Sequence, residues 1–540
     1  MMTTEQIAVA TNRLIDALKA TTGGYGLGNG GDEYRIVIEI FLYKYFNDKF
    51  GYEAKHTASP YQHRLQAAER WDEEYDQFTD EQMDDLFTFL PASAPRLRKE
   101  HTIAHIYNAA QQPDFSGLLD STLESIAALN AATFSVRSSD GEPIKIFAPI
   151  TTVIPNQSKR NEFALALVRS ITDFNFEEIF AEKYDFFSRI FEYLIKDYNK
   201  DGGGKYAEYY TPRAIAQVMA RLLVPDNTKL RGVTVYDPAA GTGTLLMALA
   251  HQIGEDRCTI FSQDVSAKAS EMLRLNLILN NLSHSLPNIV QGNTLTEPAH
   301  RNEDATLREF DFIVSNPPFK LDFPETRDTI ASDSVRFWAG VPNVPNSIDP
   351  AKPKMEIYTC FIQHLINSLK DGKGRGAIVV PTGFITAKSG IKKNILQKVV
   401  DGHLVYGCVS MPSNVFATTG TNVSVLFFDK GKRHDKVMLV DASKLGEEYK
   451  DGNNQRTRLR DFEIDKIVDC FLSQKTVDDF AVCVSYDDIK DKGYSLSAGQ
   501  YFDIKIEYVD ITEDEFNTQM AQDQAELQKM FAESYKLEEE

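Results

Sequence analysis

Apolar positions repeat at helical spacing through the first part of the chain and at strand spacing through the middle. Residues 7–18 carry apolar side chains on a helical period, and residues 34–50 read as a strongly apolar helix with sparse charges. Pro155-Asn156-Gln157-Ser158 breaks the pattern, which resumes through Phe174 and over residues 184–198. Asp201-Gly202-Gly203-Gly204-Lys205 then reads as a hinge. Beyond it, short apolar runs at 233–236, 258–264, 289–291, 310–314, 376–380, 403–409 and 423–428 predict strands. Between them, 214–223, 245–252, 267–279, 357–369 and 391–400 predict helices. Strands alternating with helices imply an α/β fold with a sheet of about seven strands, preceded by an α-helical N-terminal domain. Residues 320–352, rich in Asp, Ser, Pro and Asn, have little periodicity and read as a long surface loop.

From Gly431 the chain is polar with short hydrophobic patches, and it ends in a small helical tail. Thr512-Glu513-Asp514-Glu515 is a capping box. Phe516, Met520, Leu527 and Phe531 follow on one stripe, which wants either a partner helix or its own domain to pack on. The expected organisation is a helical domain over 1–165, a catalytic domain over 166–430 and a C-terminal region over 431–540.

Composition narrows the class. A chain of 540 residues exceeds one ordinary core, and 42% hydrophobic with 25% charged residues is a globular composition. No apolar run approaches the roughly 18 residues of a membrane span, so no membrane association is expected. Met-Met-Thr-Thr-Glu-Gln lacks a basic segment before an apolar core, and the expected location is cytoplasmic. The five cysteines are scattered with no C-x-x-C pair, which argues against a zinc site or a disulfide framework. A net charge of −20 is the wrong sign for a chain that grips a polyanion alone.

The chemistry concentrates in two stretches. Val233-Thr-Val-Tyr-Asp237 is a buried-type strand with an acidic residue at its end. Pro238-Ala239-Ala240-Gly241-Thr242-Gly243 then makes a tight turn into a helix. Strand–turn–helix is where open α/β sheets bind nucleotide-like ligands, and the glycines let the backbone approach one. No Gly-Lys-Ser/Thr follows, so this is not a phosphate loop. About eighty residues on, a second strand ends in Ser315-Asn316-Pro317-Pro318-Phe319. Two prolines cannot continue a sheet, so an amide, a stiff backbone and a ring are presented together at the same sheet edge. Two other motifs carry less. Gly26-Leu-Gly28-Asn-Gly30-Gly31 follows a helix and not a strand, and His101-Thr-Ile-Ala-His105 lacks the Glu of a metalloprotease. No metal ligand set is assigned.

The pair Asp-Pro-x-x-Gly-x-Gly then Asn-Pro-Pro-Phe resembles the amino-directed DNA methyltransferases. The resemblance implies an S-adenosylmethionine-dependent methyltransferase fold, with S-adenosyl-L-methionine on the glycine turn and a flipped base at Asn316-Pro317-Pro318-Phe319. The Asn316 side-chain carbonyl and the Pro317 backbone carbonyl would accept from the amine and free its lone pair, and Phe319 would stack on the base. Asn in place of Ser before the prolines favours adenine N6 over cytosine N4. Carbon methylation needs a thiolate, and none of the five cysteines stands in such a loop.

Further motifs resemble the methylation subunits of type I restriction–modification systems. Glu208-Tyr209-Tyr210-Thr211-Pro212-Arg213 matches a stretch that closes over the methionine end of the cofactor, although Thr211 as N-cap and Pro212 at the first helical position is an adequate structural reading. Asp264, ending the second strand, accepts from the ribose hydroxyls or else caps the next helix; ribose is preferred. By family position Asn293 contacts the cofactor adenine, where many relatives carry Asp. Val409-Ser-Met-Pro412 with Phe416 to Asn422, and Gly493-Tyr-Ser-Leu-Ser with Tyr501, match as well. The resemblance implies a subunit that methylates double-stranded DNA, with two copies per separate specificity subunit and a restriction subunit able to join. The alternatives are a stand-alone RNA or protein-glutamine methyltransferase, and an inactive scaffold subunit.

Overall fold

The computed structural model describes residues 4–28, 31–134, 136–137, 143–172, 174–180, 211–345, 355–416, 422–451, 454–502 and 511–539. Two long helices open the chain, α1 (Thr4–Gly24) and α2 (Gly31–His56). A helix that is apolar nearly all round must be enclosed. Accordingly Ile36, Val37, Ile40, Phe41, Phe46 and Phe50 of α2 are fully buried. Its charges are neutralised one turn apart, Lys44 on Asp48 at 2.9 Å and Lys49 on Glu53 at 2.8 Å. Two further helices, α3 (Phe115–Leu129) and α4 (Gln157–Thr172), belong to the same body, with α4 against α1, α2 and α3. The break before α4 is fixed by Asn156, whose Oδ1 accepts from Lys159 N–H at 3.1 Å. His101 is buried with Nε2 2.9 Å from the Ser125 hydroxyl, and His105 pairs with Asp76 at the surface. They serve the helical body. The helical pattern at 184–198 and the hinge at 201–205 lie outside the described residues.

One large sheet occupies the middle of the chain. Its strands are β1 (Val233–Asp237), β2 (Cys258–Asp264), β3 (Ile289–Gln291), β4 (Phe312–Ser315), β5 (Arg375–Pro381), β6 (Val405–Ser410), β7 (Val423–Asp429), β8 (Lys436–Asp441) and β9 (Ala481–Ser485). Their order is β9-β8-β6-β7-β5-β4-β1-β2-β3. Strands β1 to β5 run parallel to their mutual neighbours, and β7 is antiparallel to β5 and β6 on either side. The sequence predicts about seven strands; among the described residues the sheet has nine. The additional β8 and β9 come from Lys-Val-Met-Leu-Val-Asp and Ala-Val-Cys-Val-Ser, apolar runs too short to stand out in a polar stretch.

Helices cover both faces, which is why the strands read as near-continuous apolar runs. They are α5 (Arg213–Leu223), α6 (Thr244–Ile253), α7 (Ala267–Leu279), α8 (Tyr358–Ser368) and α9 (Gly390–Asp401). Val233 and Val235 join the core that contains α5 and α6. Tyr236 points the other way, its ring 4.4 Å from Phe310 and its hydroxyl 3.2 Å from His364 Nε2 on α8. The chain runs β1-β2-β3 in one direction across the sheet and then returns to place β4 and β5 on the other side of β1. The reversal between β1 and β4 is the switch point at which open α/β sheets leave a crevice beyond their carboxyl ends.

Helix α7 ties this crevice to the helical body. The Tyr45 hydroxyl of α2 donates to Ile278 O at 3.3 Å, and Arg274 donates to Lys145 O at 2.9 Å. From the same helix, buried Asn276 donates to Thr242 O at 3.2 Å, inside the glycine turn. Gly243 holds φ +85°, and a Cβ there would lie 2.1 Å from Leu273 Cδ1 of α7. Only glycine fits a left-handed residue pressed against a neighbouring helix.

The chain divides into two compact units, residues 1–500 and 501–540. The second is one long helix, α10 (Glu513–Glu539), which starts in the predicted capping box: Thr512 N–H donates to Glu515 at 2.9 Å, and Glu515 N–H donates back to the Thr512 hydroxyl at 3.4 Å. Among the described residues of its own unit nothing covers the Phe516, Met520, Leu527 and Phe531 stripe. No helix among the described residues is long and apolar enough to cross a membrane.

Gly243→Ala is expected to lower stability by about 2–4 kcal/mol, combining left-handed strain with overpacking of Leu273. Gly383→Ala, where a Cβ meets open space and the backbone is ordinary, stays within about 0.5 kcal/mol. Paired thermal melts test this, and equal melting of the two variants would refute the close approach.

Candidate active site

Two carboxylates end adjacent strands at the switch point. Asp237 closes β1, where its Oδ1 accepts from Ala239 N–H at 2.9 Å and from the Ser315 hydroxyl of β4 at 3.0 Å. Its Oδ2 takes no donor among the described residues. Burial pushes the Asp237 carboxyl up to about 7 against these two hydrogen bonds, and the Asp264 charge adds to the rise. Asp264 closes β2. Its Oδ2 accepts from Gly241 N–H at 2.8 Å and its Oδ1 from Ser266 N–H at 2.8 Å. Burial raises this carboxyl as well, opposed by both backbone donors.

These bonds bear on the helix-cap reading of Asp264. Helix α7 is capped by Ser266, whose hydroxyl accepts from Ala269 N–H at 3.2 Å. Asp264 is therefore not the cap but the post to which the glycine turn is tied. The third strand end follows the same pattern: Gly292 N–H donates to Asp264 O at 2.8 Å, Asn293 Oδ1 accepts from Leu295 N–H at 3.0 Å, and the Thr294 hydroxyl donates to Pro238 O at 2.7 Å.

Asn316 stands just past β4, half-buried. Its Nδ2 donates to the Thr211 hydroxyl at 3.1 Å, joining residues 105 apart in sequence. That bond turns Oδ1 away from Thr211, and Oδ1 takes no donor among the described residues. Thr211 is not the N-cap that the sequence suggests. Pro212, with ψ 135°, occupies the cap, Arg213 starts α5, and the Thr211 side chain is spent on Asn316. Pro317 is buried, Pro318 is exposed, and the half-buried Phe319 ring meets Tyr358 edge-on at 6.2 Å.

A pocket of about 240 Å³ lies among these groups. Of the residues expected at a cofactor, Thr211, Asp237, Pro238, Ala239, Gly241, Asp264 and Asn293 line it, and Asn316 and Pro318 join them. Thr242 and Gly243 form the turn beneath it, pressed on α7, while Pro212 and Arg213 continue away into α5. Glu208, Tyr209 and Tyr210 lie outside the described residues.

The sequence also leaves part of the wall unassigned. Val265, directly after Asp264, lines the pocket with its side chain two-thirds exposed. Leu321, Phe323, Thr326 and Ile330 line it from the stretch read as a surface loop. Over its described part, 320–345, that stretch is packed down and is not a free surface loop. Phe323, Ile330, Phe337 and Val341 are buried, and Arg336 straps the segment down. The Arg336 guanidinium, itself buried, donates to Thr294 O at 3.2 Å and to Leu295 O, pairs with Asp333 at 3.1 Å and lies 4.4 Å from the Phe337 ring. Gln363 of α8 accepts from Ala339 N–H at 2.7 Å and donates to Gly340 O at 3.0 Å. The apolar anchors are single residues separated by polar ones, so no helical or strand period betrays them. Among the described residues no group of three His, Cys, Asp or Glu side chains is placed to hold a metal ion.

Residues 182–508 match the N-6 DNA Methylase family, a span that takes in the whole sheet. The methylase subunit of the type I restriction enzyme MpnII of Mycoplasma pneumoniae is 29% identical over 355 residues, covering 64% of this chain and 62% of that protein. The MjaIX methylase subunit of Methanocaldococcus jannaschii is 26% identical over 369 residues, covering 65% and 61%. The chain thus spans about three fifths of the length of these relatives. In structure it is similar to the type I restriction-modification system methyltransferase subunit of Streptococcus thermophilus, with a TM-score of 0.71 over 93% of this chain and 100% of that one. At 21% identity that likeness is one of fold. With the matched span taking in the glycine turn, both strand-end carboxylates and the Asn-Pro-Pro-Phe loop, the chain belongs to the N-6 DNA methylase family.

Proposed function

We propose that this chain is the methylation subunit of a type I restriction–modification complex. In this reading it transfers a methyl group from S-adenosyl-L-methionine to N6 of a flipped adenine in double-stranded DNA. A separate specificity subunit chooses the target, with two methylation subunits to each. The observation that carries the reading is the joining of Asp237, Asp264 and Asn316 around one pocket at the β1/β4 switch point.

The pocket chemistry fits the cofactor. A buried carboxylate with one oxygen facing the cavity calls for a cation, and the ammonium of a methionine end supplies it. Asp264 and Asn293 stand at the ends of β2 and β3 where a ribose and an adenine would lie, with Val265 as an apolar wall. When bound, S-adenosylmethionine supplies an electrophilic methyl on a positively charged sulfur.

The chain's own residues act on the nucleophile. The amine of adenine is poor because its lone pair is delocalised into the ring. Asn316 Oδ1 and the Pro317 carbonyl accept hydrogen bonds from its two N–H groups and favour the pyramidal nitrogen that can attack. Thr211 holds the Asn316 amide by Nδ2, so that the acceptor oxygen faces the base. The stiff proline pair fixes both acceptors before the base arrives, which lowers the entropic cost of alignment. No residue forms a covalent intermediate.

Partner dependence is supported by charge. At −20 the chain lacks the cationic surplus of a protein that grips a duplex alone, so a basic partner supplies most phosphate contacts. The acidic α10 with its apolar stripe is the element offered to that partner.

Two outcomes test this reading. Asn316→Ala is expected to keep cofactor affinity within about twofold while the transfer rate falls at least about 10²-fold, as for loss of a positioned acceptor. Loss of both would make Asn316 a structural residue. Second, the cofactor cation needs Asp237 ionised, and its carboxyl titrates near 7 in the free protein. Affinity is therefore lost as pH falls through that value: binding should weaken by about tenfold from pH 7 to pH 5.5 by linkage, and Asp237→Asn should flatten the profile. Calorimetric titration reads this, and a flat wild-type profile would remove Asp237 from the cofactor.

A further inference from the structure

The chain's acidity is not spread evenly. Asp and Glu make up 78 of its 540 residues, yet residues 382–400 contain none and carry Lys388, Lys392, Lys393 and Lys398. This stretch leaves the carboxyl end of β5, beside β4, and turns into α9. It therefore begins on the same sheet edge as Asn316. Aromatic contacts connect the two places: the Phe319 ring lies 6.2 Å from Tyr358, and Tyr358 lies 5.9 Å from Phe384, four residues before Lys388.

Lys320 comes from the other side. It directly follows Phe319, and the backbone of the next residue, Leu321 N–H, donates to Met355 O at 3.1 Å. Adjacent Glu356 pairs with Lys392 at 3.1 Å, which joins the two basic segments across a single carboxylate. Lys393 and Lys398 are engaged by the Tyr494 and Trp338 rings at 4.3 and 4.5 Å. Lys320 and Lys388 are exposed and form no ion pair among the described residues. Two exposed ammonium groups thus stand on the segments that leave β4 and β5 at this sheet edge, on a chain that is otherwise strongly anionic.

Building on the function proposed above, we infer that Lys320 and Lys388 are this chain's own contacts to DNA, binding the phosphodiesters on either side of the flipped nucleotide. The lysines need carry no sequence information, since phosphate contacts position a duplex and do not read it. Their role is to seat the strand while the base leaves the stack. A protein with a net charge of −20 touches a polyanion most readily where its own acids are few: residues 382–400 contain none, and of the acids beside Lys320, Glu356 is paired with Lys392 while Asp322 accepts from Met355 N–H.

The test is duplex binding by the chain with its specificity subunit, followed against KCl concentration for wild type and for Lys320→Gln/Lys388→Gln. Each phosphate contact contributes about 0.9 to the slope of log affinity against log salt, so the double variant should lose about 1.8. Cofactor affinity should be unchanged, and Lys320→Arg/Lys388→Arg should restore the slope. An unchanged slope with methyl transfer intact would overturn this inference and leave the proposed function standing. An unchanged slope with weakened subunit assembly would overturn it in favour of an acidic protein surface. A wild-type complex that neither binds duplex nor transfers methyl would overturn both.

Discussion

The glycine turn at 241–243 exists in its observed shape because a carboxylate on a different strand holds it. Asp264 accepts from Gly241 N–H with one oxygen and from Ser266 N–H with the other, so the end of β2 fixes both the turn after β1 and the start of α7. Asp237 does the same for the next interval, joining its own turn to Ser315 of β4. Three neighbouring strand ends are thereby fixed to one another by two buried carboxyl groups. Burial of such groups is costly unless donors meet them, and here all four donors, from Ala239, Ser315, Gly241 and Ser266, come from the strand ends and the turns that follow them. The pocket is the space that this arrangement leaves.

That constraint also explains why the helical body matters to the site. Helix α7 starts at the Asp264 tie, presses Leu273 on Gly243 and holds Thr242 O through Asn276. Its far end receives the Tyr45 hydroxyl from α2. A rigid helical body therefore sits two contacts away from the turn, without any of its described side chains lining the pocket. On the opposite wall, Arg336 straps the segment after Phe319 onto Thr294 and Leu295.

Much of this was legible in the sequence where chemistry and local structure coincide. The β-branched run ending in Asp237, the Gly-x-Gly turn and the Asn-Pro-Pro-Phe loop each need their residue types locally, so they announce themselves. What joins them is not local. Ser315 on Asp237 and Thr211 on Asn316 link hydroxyls to partners 78 and 105 residues away, and a hydroxyl in a sequence looks the same whether it caps a helix or holds an amide. The reading of Thr211 as an N-cap failed for that reason. The segment 320–352 reads as a loop because the buried residues of its described part are isolated anchors with no period. The last two strands, β8 and β9, escape because a short strand near the end of a sheet needs only a few apolar residues.

The central claim is that the pocket serves transfer of a methyl group to an adenine amine on DNA. It is tested most directly by incubating the purified chain with labelled S-adenosylmethionine and plasmid DNA, alone and with co-expressed genomic neighbours. The DNA is then digested and the labelled nucleoside identified. The account predicts N6-methyladenine, formed when a specificity partner is present. Label in RNA or protein, or in cytosine, would contradict it, as would no label at all from a complex that binds the cofactor.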